Sequence, residues 1–241
     1  FISVYIFLFG GVTAYNSYWD KDTGPIGGLE HPPQMKRWML SMSWAIQIIG
    51  LAIALWSGLL FFGLYAFGLV LSWLYSSPRH RWKGRPFLSF LAVGVGVAFC
   101  PVIFGFISFG GNVFDPFVFL GALGSVCFIL GLYPFSQVYQ IEADKKRGDA
   151  TFAATYGMKG VKISFLSLFF PGVVLLSFAL STLSPLLAAV CFVGGIITGV
   201  CIYRKLKTIS PEIGEYKKIM RVKYVGGLVF GLVMLALFFL V

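Results

Sequence analysis

Long apolar runs, separated by shorter polar stretches, make up most of this chain. An α-helix needs about 20 predominantly apolar residues to cross the hydrocarbon core of a bilayer. Seven runs come close to that length: 38–56, 57–75, 87–108, 116–138, 160–181, 185–203 and 223–241. With an eighth, shorter run at 1–15, the pattern predicts an all-α fold, a polytopic transmembrane helical bundle with eight spans in this chain.

The first apolar run is short for a membrane span. Only about 15 apolar residues precede the polar residue Asn16, whereas a crossing needs about 20. We therefore expect the numbered chain to begin inside a helix, with an upstream segment preceding it.

The composition is that of a membrane protein. Hydrophobic residues make up 58% of the chain and charged residues 12%, with a mean hydropathy of +0.87, whereas soluble domains are about 25% charged. By the positive-inside rule, connections rich in Lys and Arg are expected in the cytoplasm. All nineteen Lys and Arg fall in or at the edge of alternate connections between the runs: 16–37, 76–86, 139–159 and 204–222.

This charge asymmetry has two consequences. The net charge of +10 reflects membrane orientation, so we expect the lipid bilayer, and no nucleic acid, as a partner. Because the polar chemistry lies on the same face, we expect an integral protein of a bacterial or archaeal inner membrane with its active site facing the cytoplasm.

Two polar clusters follow spans that run in the same direction. NSYWDKD, residues 16–22, follows the first run, and YQIEADKKRGD, residues 139–149, follows the run at 116–138. This equivalent placement indicates two helical halves brought together around one pocket.

Each cluster contains an amide and a carboxylate four residues apart. If the helices continue into the clusters, Asn16 and Asp20 lie one turn apart on one helical face, and so do Gln140 and Asp144. Facing each other, the two pairs would offer oxygen ligands from both sides of a cavity. Such ligands suit a hard cation such as Mg²⁺, which keeps several waters and completes its shell with substrate phosphate.

Three further carboxylates are candidate metal ligands. Asp22 and Glu142 lie about 200° around an ideal helix from the carboxylates of the two pairs, so each joins the site only if the helix ends there. Asp149 follows Gly148, where a turn can bring it back. In the alternative interpretation, the carboxylates of both clusters are solvated or paired with the neighbouring bases Lys145, Lys146 and Arg147.

A basic cluster, YSSPRHRWKGRP at residues 75–86, lies in the connection between the other two clusters. Arg79, Arg81 and Lys83 alternate beside Pro78, so an extended backbone would direct them to one side. Arg and Lys bind phosphate oxygens well. Membrane anchoring and contact with anionic lipid head groups explain the same charges equally well.

Together the three clusters resemble the motifs of the UbiA-type intramembrane prenyltransferases. The family's N-D-x-x-D motif, Y-x-x-x-[KR] loop and D-x-E-x-D-[RK]-x-x-G motif are matched here by Asn16, Asp20, Tyr75, Arg79, Glu142, Asp144, Lys145 and Gly148. Carboxylates of the family pattern are replaced at Ser17, Gly24 and Gln140. The order and helix spacing agree along residues 1–241, which implies a single UbiA-type domain that lacks the first of nine transmembrane helices.

The resemblance implies a central cavity, open to the cytoplasmic side and to lipid, and Mg²⁺-dependent transfer of an isoprenyl group from its diphosphate to an aromatic or lipoquinone-type acceptor. The implied catalytic residues are Asn16, Asp20 and Asp144. The implied metal ligands are Asn16, Asp20, Asp144, Asp22, Glu142 and Asp149. The implied diphosphate-binding residues are Tyr75, Arg79, Arg81, Lys83, Tyr139, Gln140 and Lys145.

Two alternatives stay open at this point. A UbiA-type terpene cyclase would act on the same kind of diphosphate without an acceptor. A non-catalytic membrane scaffold or transporter would keep the helices and lose the chemistry, although transporters usually interrupt their helices at the membrane midplane. The polar clusters of this chain lie at helix ends instead.

Overall fold

The computed structural model describes residues 2–21, 24–211, 215–225 and 228, and these residues are predominantly helical. The α-helices are α1 Gly11–Asp20, α2 Arg37–Trp56, α3 Leu59–Ser76, α4 Pro86–Val93, α5 Cys100–Ser108, α6 Pro116–Leu132, α7 Ile141–Arg147, α8 Phe152–Ser164, α9 Phe170–Ser181 and α10 Pro185–Leu206. Within these described ranges, β-structure is limited to an isolated bridge between Ile26 and Leu29. The predicted all-α class is confirmed.

Residues 216–225 form a further α-helix. Shorter π-helical and 3₁₀ segments join or precede some of the α-helices. The π-helical segments are Ser3–Gly10, Gly94–Phe99 and Phe165–Phe169, and the 3₁₀ segments are Trp82–Gly84 and Pro134–Gln140.

Six helical stretches of the described chain are long and apolar enough to cross a membrane: Arg37–Trp56, Leu59–Ser76, Pro86–Ser108, Pro116–Arg147, Phe152–Ser181 and Pro185–Leu206. They match six of the eight predicted spans, and the polytopic bundle is confirmed to that extent. The first run is helical through Asp20 but is not one of the six, because its last turns are polar. Most of the predicted span 223–241 lies outside the described residues.

Local sequence fixes where several of these helices begin. The Asp115 side chain accepts a hydrogen bond from the Phe117 N–H at the start of α6, and Ser184 caps α10 through the Leu187 N–H. A proline follows each cap at the first helical position, where its missing N–H costs nothing. These cap–proline pairs mark the helix starts after short connections.

Two spans carry a proline in their interior. Such a residue cannot donate its hydrogen bond, and its ring clashes with the preceding turn. Pro101 follows the π-helical segment Gly94–Phe99, and Pro171 follows Phe165–Phe169. In each case the wider turn accommodates the missing hydrogen bond, so the span continues without breaking.

Helix contacts divide the chain into two compact units, unit 1 (Phe1–Val113) and unit 2 (Phe114–Val241). Tyr65 is fully buried in the core of unit 1, whereas the core of unit 2 includes Phe165 and Phe169, whose rings stack at 4.7 Å. The division agrees with the two helical halves indicated by the polar clusters. That residues 1–241 act as one domain stays a prediction.

Glycines allow α6 and α9 of unit 2 to approach closely. A Cβ atom at Gly172 would lie 2.5 Å from the Phe128 backbone nitrogen, and a Cβ at Gly124 would lie 2.9 Å from the Leu176 backbone nitrogen. Backbone atoms cannot rotate away as a side chain can. These positions follow the small-residue rule for membrane helix packing.

Gly172→Ala should therefore destabilise the protein by about 1–3 kcal/mol, the usual cost of overpacking a well-filled interior. The measurement is thermal unfolding of the purified protein in detergent. Gly194→Ala is the matched control, because Gly194 lies in α10 with no atom within 4 Å of an added Cβ. An equally stable Gly172→Ala variant would contradict the close approach of the two helices.

Candidate functional site

The first polar cluster lies on the last turns of α1. This helix continues to Asp20 and ends at Lys21, whose left-handed backbone (φ 49°, ψ 39°) stops it. Asn16 and Asp20 are therefore one turn apart on one face, as predicted. Asp22, whose participation required a helix end at this point, lies outside the described residues.

A lysine from the basic loop joins this pair. The Lys83 Nζ donates a hydrogen bond to the Asn16 Oδ1 at 3.1 Å and forms an ion pair with the Asp20 Oδ1. The Asp20 and Lys83 side chains are only 7% and 10% exposed, and the Arg81 guanidinium lies 3.8 Å from the same Asp20 oxygen. The Ser76 hydroxyl donates to the Asn16 Oδ1 at 2.8 Å. The carboxylate is thus buried but balanced by cations.

The basic loop is not extended, so the prediction that an extended backbone directs its three bases to one side is wrong. The Arg81 N–H donates to the Ser77 carbonyl at 2.8 Å, Arg81 itself is left-handed (φ 44°), and a 3₁₀ turn follows. The short connection between α3 and α4 must reverse direction, which an extended segment cannot do. As a result, Arg81 and Lys83 lie at Asp20, whereas the third predicted base, Arg79, is exposed.

An apolar cavity of about 320 Å³ within unit 1 reaches this cluster. Asn16, Tyr75 and Ser76 line it from the polar side. Its other lining residues come from the first helical run, α3, α4 and the following π-helical segment: Leu8, Phe9, Val12, Thr13, Gly68, Leu71, Ser72, Ala92, Val93, Gly96 and Val97. The cavity therefore joins an apolar wall to a polar end, where Asn16 accepts a hydrogen bond from Lys83.

The second polar cluster surrounds Asp144 on α7, which is 3% exposed. Its Oδ1 accepts a hydrogen bond from Arg147 at 2.7 Å, and its Oδ2 accepts one from Thr151 at 2.9 Å. The Arg147 Nε lies 3.5 Å from the buried Asp149 Oδ2. Gly148 is left-handed (φ 78°) and provides the predicted turn that returns Asp149 to this side.

The predicted pairing of Gln140 with Asp144 on one continuing helix is wrong. The α-helix of the fourth span ends at Leu132, a 3₁₀ segment covers Pro134–Gln140, and α7 begins at Ile141. Pro134 lacks the N–H that would continue the α-helical ladder. Gln140 instead precedes the first turn of α7 and is half-buried.

The other predicted residues of the second cluster lie in different surroundings. Glu142 and Lys145 are exposed, whereas Asp144 is buried, so Glu142 lies away from the buried carboxylate. Tyr139 is 5% exposed in the core of unit 2, where its ring packs against Tyr216 at 5.1 Å.

Asp20 and Asp144 belong to different units, and their convergence on one chamber stays a prediction.

Sequence reasoning missed two hydroxyl donors. Ser76 bonds to Asn16, and Thr151 bonds to Asp144 while also capping α8 through the Ala154 N–H. A threonine shortly after the Gly148 turn is an N-cap signal that could have revealed Thr151. The pairing of Asp144 with Arg147 matches the alternative interpretation, in which a motif carboxylate is paired with a neighbouring base.

The match to known proteins agrees with the polar motifs. Residues 1–218 match the family model described as the UbiA prenyltransferase family. The chain belongs to this family. No curated protein and no solved structure matches the chain significantly.

Membership in the UbiA family implies prenyltransferase activity in a membrane. The six apolar spans agree with this location and make the chain an integral membrane protein.

The carboxylates of this UbiA-family chain can be compared with the ligands that Mg²⁺ needs. In the ranges that the structure describes, no three His, Cys, Asp or Glu residues lie close enough to hold a metal ion. Mg²⁺ can nevertheless bind through one or two carboxylates plus water and substrate phosphates. Asp144 and Asp149, joined through one guanidinium, offer such a pair. Side chains already contact oxygen atoms in both clusters: Lys83 holds the Oδ1 atoms of Asn16 and Asp20, and Arg147 and Thr151 bond to the two oxygens of Asp144.

The Lys83–Asp20 pair yields a prediction about stability. Lys83→Met should destabilise the protein by about 3 kcal/mol, because it leaves a buried carboxylate with the more distant Arg81. Lys83→Met combined with Asp20→Asn should recover most of this loss, since neither charge then stays buried. Thermal unfolding in detergent measures both effects. Arg79→Met, at an exposed base of the same loop, is the control and should leave stability unchanged.

Proposed function

We propose that this UbiA-family protein transfers an isoprenyl group from an isoprenyl diphosphate to a small hydrophobic acceptor, an aromatic ring or lipoquinone-type precursor, in a Mg²⁺-dependent reaction of isoprenoid biosynthesis. The observation that carries this proposal is the cavity of unit 1. An apolar chamber that ends at Asn16, beside the Asp20–Lys83 ion pair, matches a molecule with an apolar tail and a charged head.

The buried carboxylates of the two polar clusters differ in the ion pairs that the structure describes. Asp20 lies beside two cations of the basic loop, Lys83 and Arg81, whereas Asp144 and Asp149 share the Arg147 guanidinium. Two neighbouring cations favour an anionic diphosphate, and two neighbouring carboxylates favour a divalent cation. We therefore assign diphosphate binding chiefly to the first cluster and metal binding chiefly to the second.

Asp144 and Asp149 are the proposed Mg²⁺ ligands of the second cluster. When bound, Mg²⁺ would supply positive charge that stabilises the leaving diphosphate and favours ionisation of the allylic C–O bond. The Arg147 guanidinium now contacts both carboxylates, so binding of the metal requires it to move from their oxygen atoms. That Asn16 and Asp20 also bind the metal stays a prediction, and it requires Lys83 to move from their oxygen atoms.

Residues of unit 1 have separate proposed roles toward the donor. Lys83 and Arg81 bind phosphate oxygens, and Ser76 orients the Asn16 amide through its hydrogen bond. Apolar walls take the isoprenyl chain and shield the reacting carbon from water. Tyr75 lines the same cavity at its polar end.

We also propose that the active site faces the cytoplasm of a bacterial or archaeal cell. The Lys and Arg residues support this orientation, since they are confined to alternate connections and cytoplasmic loops carry such an excess. Both polar clusters and the basic loop lie on that set of connections.

The test of the proposal measures diphosphate release. Protein reconstituted in lipid is incubated with farnesyl or geranylgeranyl diphosphate and Mg²⁺, with and without phenolic acceptors. We expect release that depends on an acceptor. Asp20→Asn and Asp144→Asn should each lower it at least about a hundredfold, the scale on which single electrostatic groups act in catalysis. Because Asp20→Asn leaves Lys83 without its carboxylate, thermal unfolding in detergent is used to show that the assay is run on folded protein.

Asp115→Asn is the matched control for these two variants. Asn caps helices as well as Asp does, so α6 keeps its cap and release should stay at the wild-type level. An active Asp144→Asn variant would contradict the proposed role of Asp144. Release with a cyclic hydrocarbon and no acceptor would indicate a cyclase, and no release with any donor would indicate a non-catalytic protein.

A further inference from the structure

Two glycines that line the cavity of unit 1 are not explained by helix packing. A Cβ atom at Gly68, on α3, would lie 3.6 Å from the Leu8 Cδ2, and one at Gly96 would lie 3.9 Å from the Leu71 Cδ1. Both are ordinary van der Waals distances to side-chain atoms. Neither glycine has a positive φ. An alanine would fit at both positions, in contrast to the glycines between α6 and α9.

Glycine at such positions lowers helix stability relative to alanine. What Gly68 and Gly96 provide is empty volume, because both line the same cavity, one from α3 and one from the π-helical segment Gly94–Phe99. A larger side chain at either position would extend into space that is now open. The absence of a side chain at these two positions therefore leaves the cavity wider there.

The spacing along α3 gives the distance between the polar end of the cavity and Gly68. Ser76, at the polar end, and Gly68 are eight residues apart, which corresponds to about 12 Å along an α-helix. An extended chain advances about 1.2 Å per backbone bond, so the four-bond isoprene repeat advances about 5 Å on the same scale. About two or three isoprene units therefore fit between the polar end and Gly68.

We propose that Gly68 and Gly96 determine the length of the isoprenyl chain that the cavity of unit 1 accepts. They leave room at the apolar end of the cavity for the units after the second, so the preferred donor is longer than two units. This inference rests on the proposed function, because the chain is that of the donor diphosphate.

The experiment measures dissociation constants of isoprenyl thiolodiphosphates, which resist ionisation, with chains of two, three and four isoprene units. The full chain is held in lipid nanodiscs as wild type, Gly68→Leu or Gly96→Leu. Gly63→Leu is the matched control, because Gly63 lies exposed on the same helix as Gly68 with no atom within 4 Å of an added Cβ.

We expect wild type and Gly63→Leu to bind the four-unit compound more tightly than the two-unit compound. Gly68→Leu and Gly96→Leu should weaken binding of the four-unit compound about tenfold or more, since each methylene kept from an apolar site costs about fourfold in affinity. Affinity for the two-unit compound should stay within about twofold of wild type. If a leucine variant does not fold, Gly68→Ala and Gly96→Ala should shift the preference in the same direction by a smaller amount.

Two results would overturn the inference. One is an unchanged length preference in every cavity variant; the other is equal weakening for all three chain lengths, which would indicate an effect on the fold or on the charged end. If wild type binds the compounds and releases diphosphate from the true donors, the proposed function stands even when the inference fails. A wild-type protein that binds none of them overturns both.

Discussion

The buried charge of Asp20 is the constraint on which the arrangement of unit 1 depends. An ionised carboxylate with a side chain only 7% exposed needs compensating charge and hydrogen bonds. Lys83 supplies the charge from a loop far along the chain, and Arg81 adds to it. The requirement to neutralise one side chain therefore joins the basic loop to the end of α1, at the polar end of the cavity.

Unit 2 meets the same requirement with local partners. Arg147 and Thr151 lie three and seven residues from Asp144, and the backbone N–H of Asp149 donates to the Asp144 carbonyl at 2.9 Å. One tight turn at Gly148 thus completes the surroundings of this carboxylate. In unit 1, by contrast, Ser76 and Lys83 come from 60 and 67 residues away from Asn16. The first cluster depends on tertiary structure and the second largely on its own sequence.

This difference explains which features could be predicted from sequence. Apolar periodicity and length are local properties, so six spans, the extension of α1 to Asp20 and the turn before Asp149 were all predictable. Long-range partners such as Ser76 were not, because no spacing rule links a residue to one 60 positions away.

Two errors of the sequence-based prediction have backbone causes. The basic loop was expected to be extended from the alternation of its bases, but the short connection turns back through a left-handed Arg81. Gln140 was expected to continue the helix, but a proline begins a 3₁₀ segment before it. In both cases the constraint lies in how the chain must connect two helices, which the pattern of side chains does not express.

The π-helical segment Gly94–Phe99 lies in a span that lines the cavity in one part and packs in the core of unit 1 in another. Each π turn contains about one residue more than an α turn and so rotates every later side chain by about 100° around the axis. Before and within it, Val93 and Gly96 line the cavity; beyond it, Phe104 is 4% exposed and packs in the core with Phe61. The segment thus sets the angle around the helix axis between the residues that line the cavity and those that pack in the core. A one-residue insertion or deletion in this stretch would change that angle, even at positions where a substitution is harmless.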